Sequence, residues 1–232
     1  MTIAVTFLPR TAPGPLPPIA FIGGGNMASA IIGGLIQQGV AADHFEVVEP
    51  FEEARTRLAQ SYGIVARAEA SEALARCAVV VWAVKPQTFA EAARPVRAFA
   101  GDALHLSVAA GIPSDSIARW LGTERVVRAM PNTPALVGKG MTGLFARPGV
   151  ESVDRARVGQ LLAPTGELIW VDAEPALDAV TAMSGSGPAY VFYFIEAMTE
   201  AGVEMGLTPD QAQRLAIGTF TGASALAHSA TE

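Results

Sequence analysis

The chain has 232 residues and a formal net charge of −6, with 50% hydrophobic and 16% charged residues. An acidic chain of this kind lacks the basic surface that general nucleic-acid binding requires. No apolar run reaches the length of a membrane-spanning helix, so the high apolar content predicts extensive burial, in part between subunits. The single cysteine, Cys77, cannot form an intrachain disulfide, which favours a reducing cytoplasm.

The first 18 residues contain several prolines and one arginine. They lack the basic start and sustained apolar core of a secretory signal. We expect residues 1–18 to form a disordered leader or to reflect a start codon placed too early.

A glycine-rich turn between a strand and a helix is the central feature of the sequence. Ile19 to Ile22 predict a buried strand, the spacing Gly23-x-Gly25-x-x-Ala28 follows directly, and an apolar run with helical character comes next. In a dinucleotide fingerprint the first glycine permits the tight turn, the second lets the backbone approach a pyrophosphate, and the third small residue lets the helix lie close to the strand. The helix N-terminus offers free N–H groups to the phosphates. The pattern favours a nucleotide site over a purely structural turn.

The second predicted strand, residues 45–49, ends in Glu49, 24 residues after Gly25. An acidic residue at this point typically accepts hydrogen bonds from the adenosine ribose, which favours NAD, and it repels a 2′-phosphate unless an arginine compensates. Arg55 and Arg57 in the next predicted helix are candidates for that compensation. The alternative is that Glu49 is a solvated strand end, so the choice between NAD and NADP stays open.

Six further segments have strand character: 64–66, 78–84, 104–108, 125–130, 141–145 and 167–171. Segments long enough for a helix separate most of these strands. Helices are predicted at 52–62 and 90–99, with Ser71 as the cap of a short one between them. The alternation predicts a doubly wound, mostly parallel α/β sheet over residues 19–171. Ligands bind beyond the carboxyl ends of such strands, so Lys85 is expected at the cofactor crevice, with a solvated lysine as the alternative. His105 is expected to be a packed core histidine.

From residue 172 onward the pattern is helical, and we expect residues 172–232 to form a second domain. Pro188 suits the first turn of a helix. Thr208 and Gln211 have the spacing of a capping box. Apolar residues recur at three- and four-residue steps from Val191 to Met205. Gly218 and Gly222, four residues apart, would let a helix of another subunit approach closely.

Four segments together resemble the pyrroline-5-carboxylate reductases, a family that makes proline; they are Phe21–Ala28, Ala83–Gln87, Arg128–Ala135 and Met183–Tyr190. The resemblance runs from about residue 19 to the end of the chain. It implies a Rossmann domain followed by a helical domain that forms homodimers and larger homo-oligomers. It also implies reduction of 1-pyrroline-5-carboxylate to L-proline by hydride from NADPH or NADH.

By position, the resemblance implies a cofactor site and a substrate pocket but assigns no catalytic side chain. The cofactor residues would be Ile22, Gly23, Gly24, Gly25, Asn26, Met27, Glu49, Ala83, Val84, Lys85, Pro86, Ala109, Ala110, Gly111 and Asn132. The substrate residues would be Ser184, Gly185, Ser186, Gly187 and Pro188. A protonated imine is already electrophilic, so orientation of the hydride donor supplies most of the catalysis. This agrees with a sequence that has no cysteine–histidine cluster of metal-ligand spacing and no Ser/His/Asp order.

Two departures from the family pattern set limits on the resemblance. Glu49-Pro50-Phe51 stands where the family often has Ser or Asn followed by Arg, which suits NADPH. The family also continues beyond Glu232 with a Ser-Pro-Gly-Gly-Thr-Thr loop that holds the substrate, so we expect this chain to bind nucleotide but to reduce the imine poorly.

Two rival functions remain at this point. A dehydrogenase of the beta-hydroxyacid type would need a lysine in the second domain as an acid or base, and residues 172–232 contain none. The other rival is an inactive chain that binds cofactor or forms oligomers.

Overall fold

A computed structural model describes residues 16–229 of the chain. The predicted leader, apart from residues 16–18, lies outside the described residues. The chain divides into two compact units, and the division falls between Gly185 and Ser186. The domain boundary that the sequence predicts near residue 172 stays a prediction.

Seven strands in the first unit form one sheet in the order β2-β1-β3-β4-β5-β6-β7. Neighbouring strands are parallel, except that β5 and β6 are antiparallel. The predicted doubly wound, mostly parallel sheet is therefore confirmed, and the strand order reverses at β1, where β2 lies on one side and β3 on the other. The strands are β1 (Ile19–Ile22), β2 (Phe45–Val48), β3 (Val79–Trp82), β4 (Leu104–Ser107), β5 (Val126–Met130), β6 (Gly140–Ala146) and β7 (Gly166–Trp170).

Six α-helices of the described chain accompany this sheet: α1 (Asn26–Gln37), α2 (Glu52–Tyr62), α3 (Phe89–Ala100), α4 (Ser114–Leu121), α5 (Ser152–Leu162) and α6 (Ala176–Val180). Alternate residues of β1 and β3 enter two separate apolar clusters. Ile19 and Phe21 of β1 pack with α1 on one face, whereas Ala20 and Ile22 pack with α3 and α4 on the other. Burial on both faces explains why these strands are continuous apolar runs.

Two of the predicted local features differ from the structure. The strand predicted at residues 64–66 is wrong, because Ile64 is buried in an irregular segment and the sheet receives only a single bridge between Arg67 and Val48. Ser71 does begin a turn of 3₁₀ helix, Glu72–Arg76, but its side chain makes no capping hydrogen bond. Gly63 ends α2 in the left-handed conformation, and the short apolar segment after it adds no strand to the sheet.

The second unit consists of two helices, α7 (Gly187–Glu204) and α8 (Pro209–Ser229). Pro188 lies in the first turn of α7, as predicted. The capping box is confirmed: the Thr208 amide donates to Gln211 Oε1 over 3.0 Å, and the Gln211 amide donates to Thr208 Oγ1 over 3.3 Å. Gly202 of α7 lies against Ala212 of α8, which brings the two helices close. In residues 16–229, no helix is both long and apolar enough to cross a bilayer.

Candidate cofactor and substrate site

The loops that follow β1, β2 and β3 converge at the point where the strand order reverses. The Gly23 amide donates to the Val48 carbonyl over 2.8 Å, and the Ala83 amide donates to the Ile22 carbonyl over 2.8 Å. Gly23 has a φ of +95°, and a methyl group there would lie 2.6 Å from the Ala83 carbonyl oxygen. Only glycine fits this turn, because both the backbone conformation and the neighbouring backbone exclude a side chain.

Gly25 precedes α1 and faces open space. A methyl group at this position would meet no heavy atom within 4 Å, and the φ of −75° is ordinary. No described side chain caps the first turn of α1, whose free N–H groups carry a partial positive charge. Ile22 is buried, whereas Asn26 and Met27 lie in the exposed and half-buried part of the first turn. This helix terminus has room and donors for a phosphate group.

Glu49, directly after β2, is buried and holds the glycine loop rather than extending into solvent. Its Oε2 accepts a hydrogen bond from the Gly24 amide over 2.7 Å, and its Oε1 accepts one from the Phe51 amide over 2.9 Å. The alternative of a solvated strand end is therefore wrong. These two hydrogen bonds fix the Glu49 side chain against the glycine loop at the carboxyl end of β2.

The two arginines proposed to offset Glu49 differ in position. Arg55 Nη1 donates to the carbonyls of Glu49 and Pro50, over 3.0 and 2.7 Å, so this guanidinium lies beside the end of β2. Arg57 instead pairs with Glu53 one turn away in the exposed part of α2, over 3.8 Å. Arg55 is thus the cation that neighbours Glu49.

The residues that follow β3 and β4 lie at the same carboxyl edge of the sheet as the glycine loop. Ala83 and Val84 are half-buried, and Lys85 is exposed and precedes a 3₁₀ turn that begins at Pro86. Val108 remains tied to the sheet by a hydrogen bond to the Trp82 carbonyl over 3.1 Å. Beyond it Ala109 is buried, while Ala110 and Gly111 are exposed. These short side chains leave backbone accessible at the carboxyl edge of the sheet.

Asn132 and Ser184 are in direct contact, although they are 52 residues apart. Asn132 Nδ2 donates to Ser184 Oγ over 3.1 Å and to the Ser184 carbonyl over 3.2 Å, and its Oδ1 accepts from the Met141 amide over 2.9 Å. The structure thus brings a predicted cofactor residue and a predicted substrate residue together. Ser184 and Gly185 belong to a π-helical turn in the first unit, whereas Ser186, Gly187 and Pro188 begin the second.

Glu174 makes a second set of contacts that fixes the segment before Ser184, and the sequence did not predict it. Glu174 Oε1 accepts from Arg128 Nη1 over 2.6 Å and from the Ser114 amide over 2.6 Å, while its Oε2 accepts from Ser114 Oγ over 2.5 Å. Burial raises the pKa of Glu174, but the hydrogen bonds from Ser114 and Arg128 outweigh it, so this pKa lies below its ordinary value. One acidic residue in a polar segment resembles any surface acid, so the sequence offered no signal for the pair.

His105 and Cys77 are buried groups outside this edge. The Trp82 indole N–H donates to His105 Nδ1 over 3.0 Å, and His105 Nε2 lies 3.1 Å from the Ala100 carbonyl, so Nε2 carries the proton. Burial lowers the pKa of His105 to about 4. Burial also raises the pKa of the Cys77 thiol to about 11. His105 is a packed core histidine, as predicted, and neither group is poised for chemistry.

The sheet, the glycine loop and the strand-end acid define a Rossmann-type, dinucleotide-dependent oxidoreductase with an added helical unit. A family model described as "NADP oxidoreductase coenzyme F420-dependent" matches residues 18–111, and one described as "Pyrroline-5-carboxylate reductase dimerisation" matches residues 174–232.

Individual proteins show the same relationship. The chain is 45% identical over 213 residues to a pyrroline-5-carboxylate reductase of Pseudomonas aeruginosa, covering 91% of this chain and 78% of the relative. The Escherichia coli enzyme of that name is 40% identical over 209 residues, 89% of this chain and 77% of the relative. A solved structure of this reductase from Coxiella burnetii superimposes with a TM-score of 0.87 at 34% identity, covering 93% of this chain and 81% of the other. The chain belongs to the pyrroline-5-carboxylate reductase family.

Proposed function

We propose that this chain reduces 1-pyrroline-5-carboxylate to L-proline with hydride from NADPH or NADH. The name shared by its relatives supports the reaction. The observation that carries the proposal is the contact between Asn132 and Ser184, because it joins the predicted nicotinamide side of the cofactor site to the predicted substrate pocket. A hydride donor and an imine must meet at such a boundary.

The cofactor requires a place for its pyrophosphate, and the residues present fit one. The open space at Gly25 and the uncapped first turn of α1 suit a phosphate group. A crystal structure of a Plasmodium falciparum pyrroline carboxylate reductase with NADP bound is 27% identical to this chain, with a TM-score of 0.80. It covers 90% of this chain and 78% of that one. Residues 22–27, 83–86 and 109–111 would hold the cofactor along the carboxyl edge, with Glu49 at the ribose. The bound cofactor would supply the hydride.

The chain's own contribution would be orientation. Addition of a hydride to the carbon of a protonated imine breaks the carbon–nitrogen π bond and leaves a neutral amine, so no side chain needs to deliver a proton at that step. Asn132, held by the Met141 amide, would keep Ser184 at the boundary of the two sites through two hydrogen bonds. The described edge has the backbone donors for positioning, and positioning accounts for most of the rate enhancement of such reactions.

The second unit would serve assembly. The dimerisation model that matches residues 174–232 supports a homodimer, and exposed aromatic side chains of α7 support a larger contact surface. We propose that residues 172–232 act as one helical domain for this purpose, and that Ser186–Pro188 contribute to the substrate pocket together with Ser184. The cytoplasmic location expected from the single cysteine is part of the same proposal.

Formation of proline by the purified chain tests the reaction. We would incubate it with 1-pyrroline-5-carboxylate and either cofactor, and follow both cofactor oxidation and proline by chromatography. The expected result is proline formed in step with oxidised cofactor, at the low rate expected from the sequence. Cofactor binding by calorimetry without proline would overturn the proposal, and turnover of a 3-hydroxy acid with oxidised cofactor would favour the beta-hydroxyacid alternative instead.

A further inference from the structure

A concavity lies at the edge of the sheet opposite to the cofactor site. Its volume is about 660 Å³, and its walls come from residues 75–78, residues 97–103, Arg125 and Arg157. These segments precede β3, β4 and β5, so they mark the amino ends of the strands, whereas the glycine loop follows a carboxyl end. Since each four-residue strand spans roughly 13 Å, the two places are separate.

The walls of this arginine concavity are cationic in a chain whose net charge is −6. Four arginines line it, namely Arg76, Arg97, Arg125 and Arg157, against one acidic lining residue, Asp102. Arg76 and Arg97 are exposed, and Arg125 and Arg157 are partly exposed, so all four side chains are accessible to solvent. An anion entering here would meet several cations at once.

The carboxylates behind the walls do not neutralise these arginines. Asp154, 1% exposed, is shared: it accepts from Arg125 over 2.9 Å and from Arg157 over 3.1 Å. Glu46 is shared in the same way between Arg76, over 2.8 Å, and Arg67, over 3.8 Å. One carboxylate for two guanidiniums leaves positive charge in excess at both places.

Arg97 adds a cation without a carboxylate. Among the described residues it makes no ion pair and no side-chain hydrogen bond, and its guanidinium lies against Gly122 at the end of α4. Its donors are therefore free for an incoming anion. Arg125 and Arg157, in contrast, are held in place by the buried Asp154, which reduces the side-chain entropy lost when they bind.

We propose that the arginine concavity binds a phosphorylated small molecule of nucleotide size. The planar donor fork of arginine matches phosphate oxygens, and several such forks suit a ligand with more than one phosphate. The volume lies within the range of about 300–1,000 Å³ that small-molecule sites occupy. The site is distinct from the cofactor edge and goes beyond the reductase activity.

Calorimetric titration of the full chain with inorganic pyrophosphate and with ADP tests the proposal. Because both probes can also enter the glycine loop, the wild type and the arginine variants, which differ only in the concavity, are titrated side by side. We expect saturable binding that Arg97→Ala weakens at least tenfold and that Arg94→Ala, an exposed arginine of the same helix outside the concavity, leaves unchanged. NADH can serve as a further probe. Two NADH molecules bound per wild-type chain, and only one per Arg97→Ala chain, would support the proposal in the same way.

Arg76→Ala serves as the second variant if Arg97→Ala does not fold, as judged by circular dichroism. Affinity should fall as salt rises, because the contacts are ionic. Equal affinity in the wild type and in the folded arginine variant would overturn the proposal, as would the absence of any probe binding beyond one site per chain.

Discussion

Gly23 and Gly25 occupy the same turn, but the structure surrounds them differently. Gly23 has a positive φ and lies against the Ala83 backbone, whereas Gly25 has an ordinary φ and faces empty space. The protein itself therefore explains why residue 23 must be glycine. It gives no such reason for residue 25, where we expect the reason to be a ligand that approaches the backbone.

Alanine at these two positions separates folding from binding. We expect Gly25→Ala to weaken cofactor binding about tenfold or more, about 1.4 kcal/mol, without lowering the melting temperature, because its methyl group meets only the bound pyrophosphate. Gly23→Ala is the matched control and should cost at least about 1 kcal/mol of stability. Calorimetry and thermal unfolding measure the two effects, and unchanged cofactor affinity in Gly25→Ala would contradict the assignment.

Glu49 presents a second residue-scale prediction, on the choice between the cofactors. Its side chain accepts a hydrogen bond from the Gly24 amide beside the expected ribose site, and the Arg55 guanidinium donates to the Glu49 carbonyl. Glu49→Gln removes the charge that repels a 2′-phosphate, so the ratio of NADPH affinity to NADH affinity should rise about tenfold. Binding titrations with both cofactors measure the ratio. Glu72→Gln, at an exposed acid elsewhere, should not change it, and an unchanged ratio in Glu49→Gln would show that Glu49 does not face the ribose.

At the scale of elements, the segment from β7 to Ser184 is held to the sheet by Arg128 of β5 and by Asn132, two residues after that strand. Arg128 binds Glu174 within the strand, and Asn132 binds Ser184 just beyond it. Because both contacts start in or just after β5, we expect the position of Ser184 to depend on the ion pair as well as on its own hydrogen bonds. Glu174 is then predicted to be a positioning residue for the proposed substrate pocket.

The contribution of Glu174 to stability should depend on pH. Its pKa is lower in the folded protein than in the unfolded chain, so its stabilisation is present above the usual value near 4.5 and is lost as the pH falls through the lower, folded value. Glu174→Gln should therefore lower the free energy of unfolding by about 1–2 kcal/mol at pH 7, and the difference from wild type should shrink in acid.

Urea unfolding across this pH range measures the difference. Asp178→Asn, an exposed acid in the same segment, provides the control and should show little effect at any pH. A difference for Glu174→Gln that stays constant down to pH 3 would show that the carboxylate charge does not hold the segment.

Much of the element order could be predicted from sequence because the signals are local. The strands β1 and β3 are apolar runs buried on both faces, and Gly63 and the Thr208–Gln211 pair mark a helix end and a helix start. The strand expected at residues 64–66 failed because short apolar runs do not reveal whether a partner strand is present. The Glu174–Arg128 and Asn132–Ser184 contacts could not be predicted, since they join residues 46 and 52 positions apart through the fold.

At the scale of the whole molecule, the helical unit has apolar side chains that are exposed in the single chain. Phe192 and Tyr193 of α7 are 62% and 69% exposed, and Leu215 of α8 is 60% exposed. A methyl group added at Gly218 or Gly222 would meet no heavy atom within 4 Å, so the close helix packing expected there is not met within the described chain. Apolar patches of this kind mark protein–protein contacts.

A charge in this patch should therefore break the assembly. Phe192→Glu places a carboxylate where apolar burial between subunits is expected, and desolvation of that charge opposes association. We expect sedimentation velocity to show dissociation to smaller species, with the circular dichroism of the chain retained. Gln213→Glu adds the same charge at an exposed polar position of α8 and should leave the oligomer intact. An unchanged oligomer in Phe192→Glu would mean that subunits meet elsewhere, and the exposed face of α7 would then need another partner.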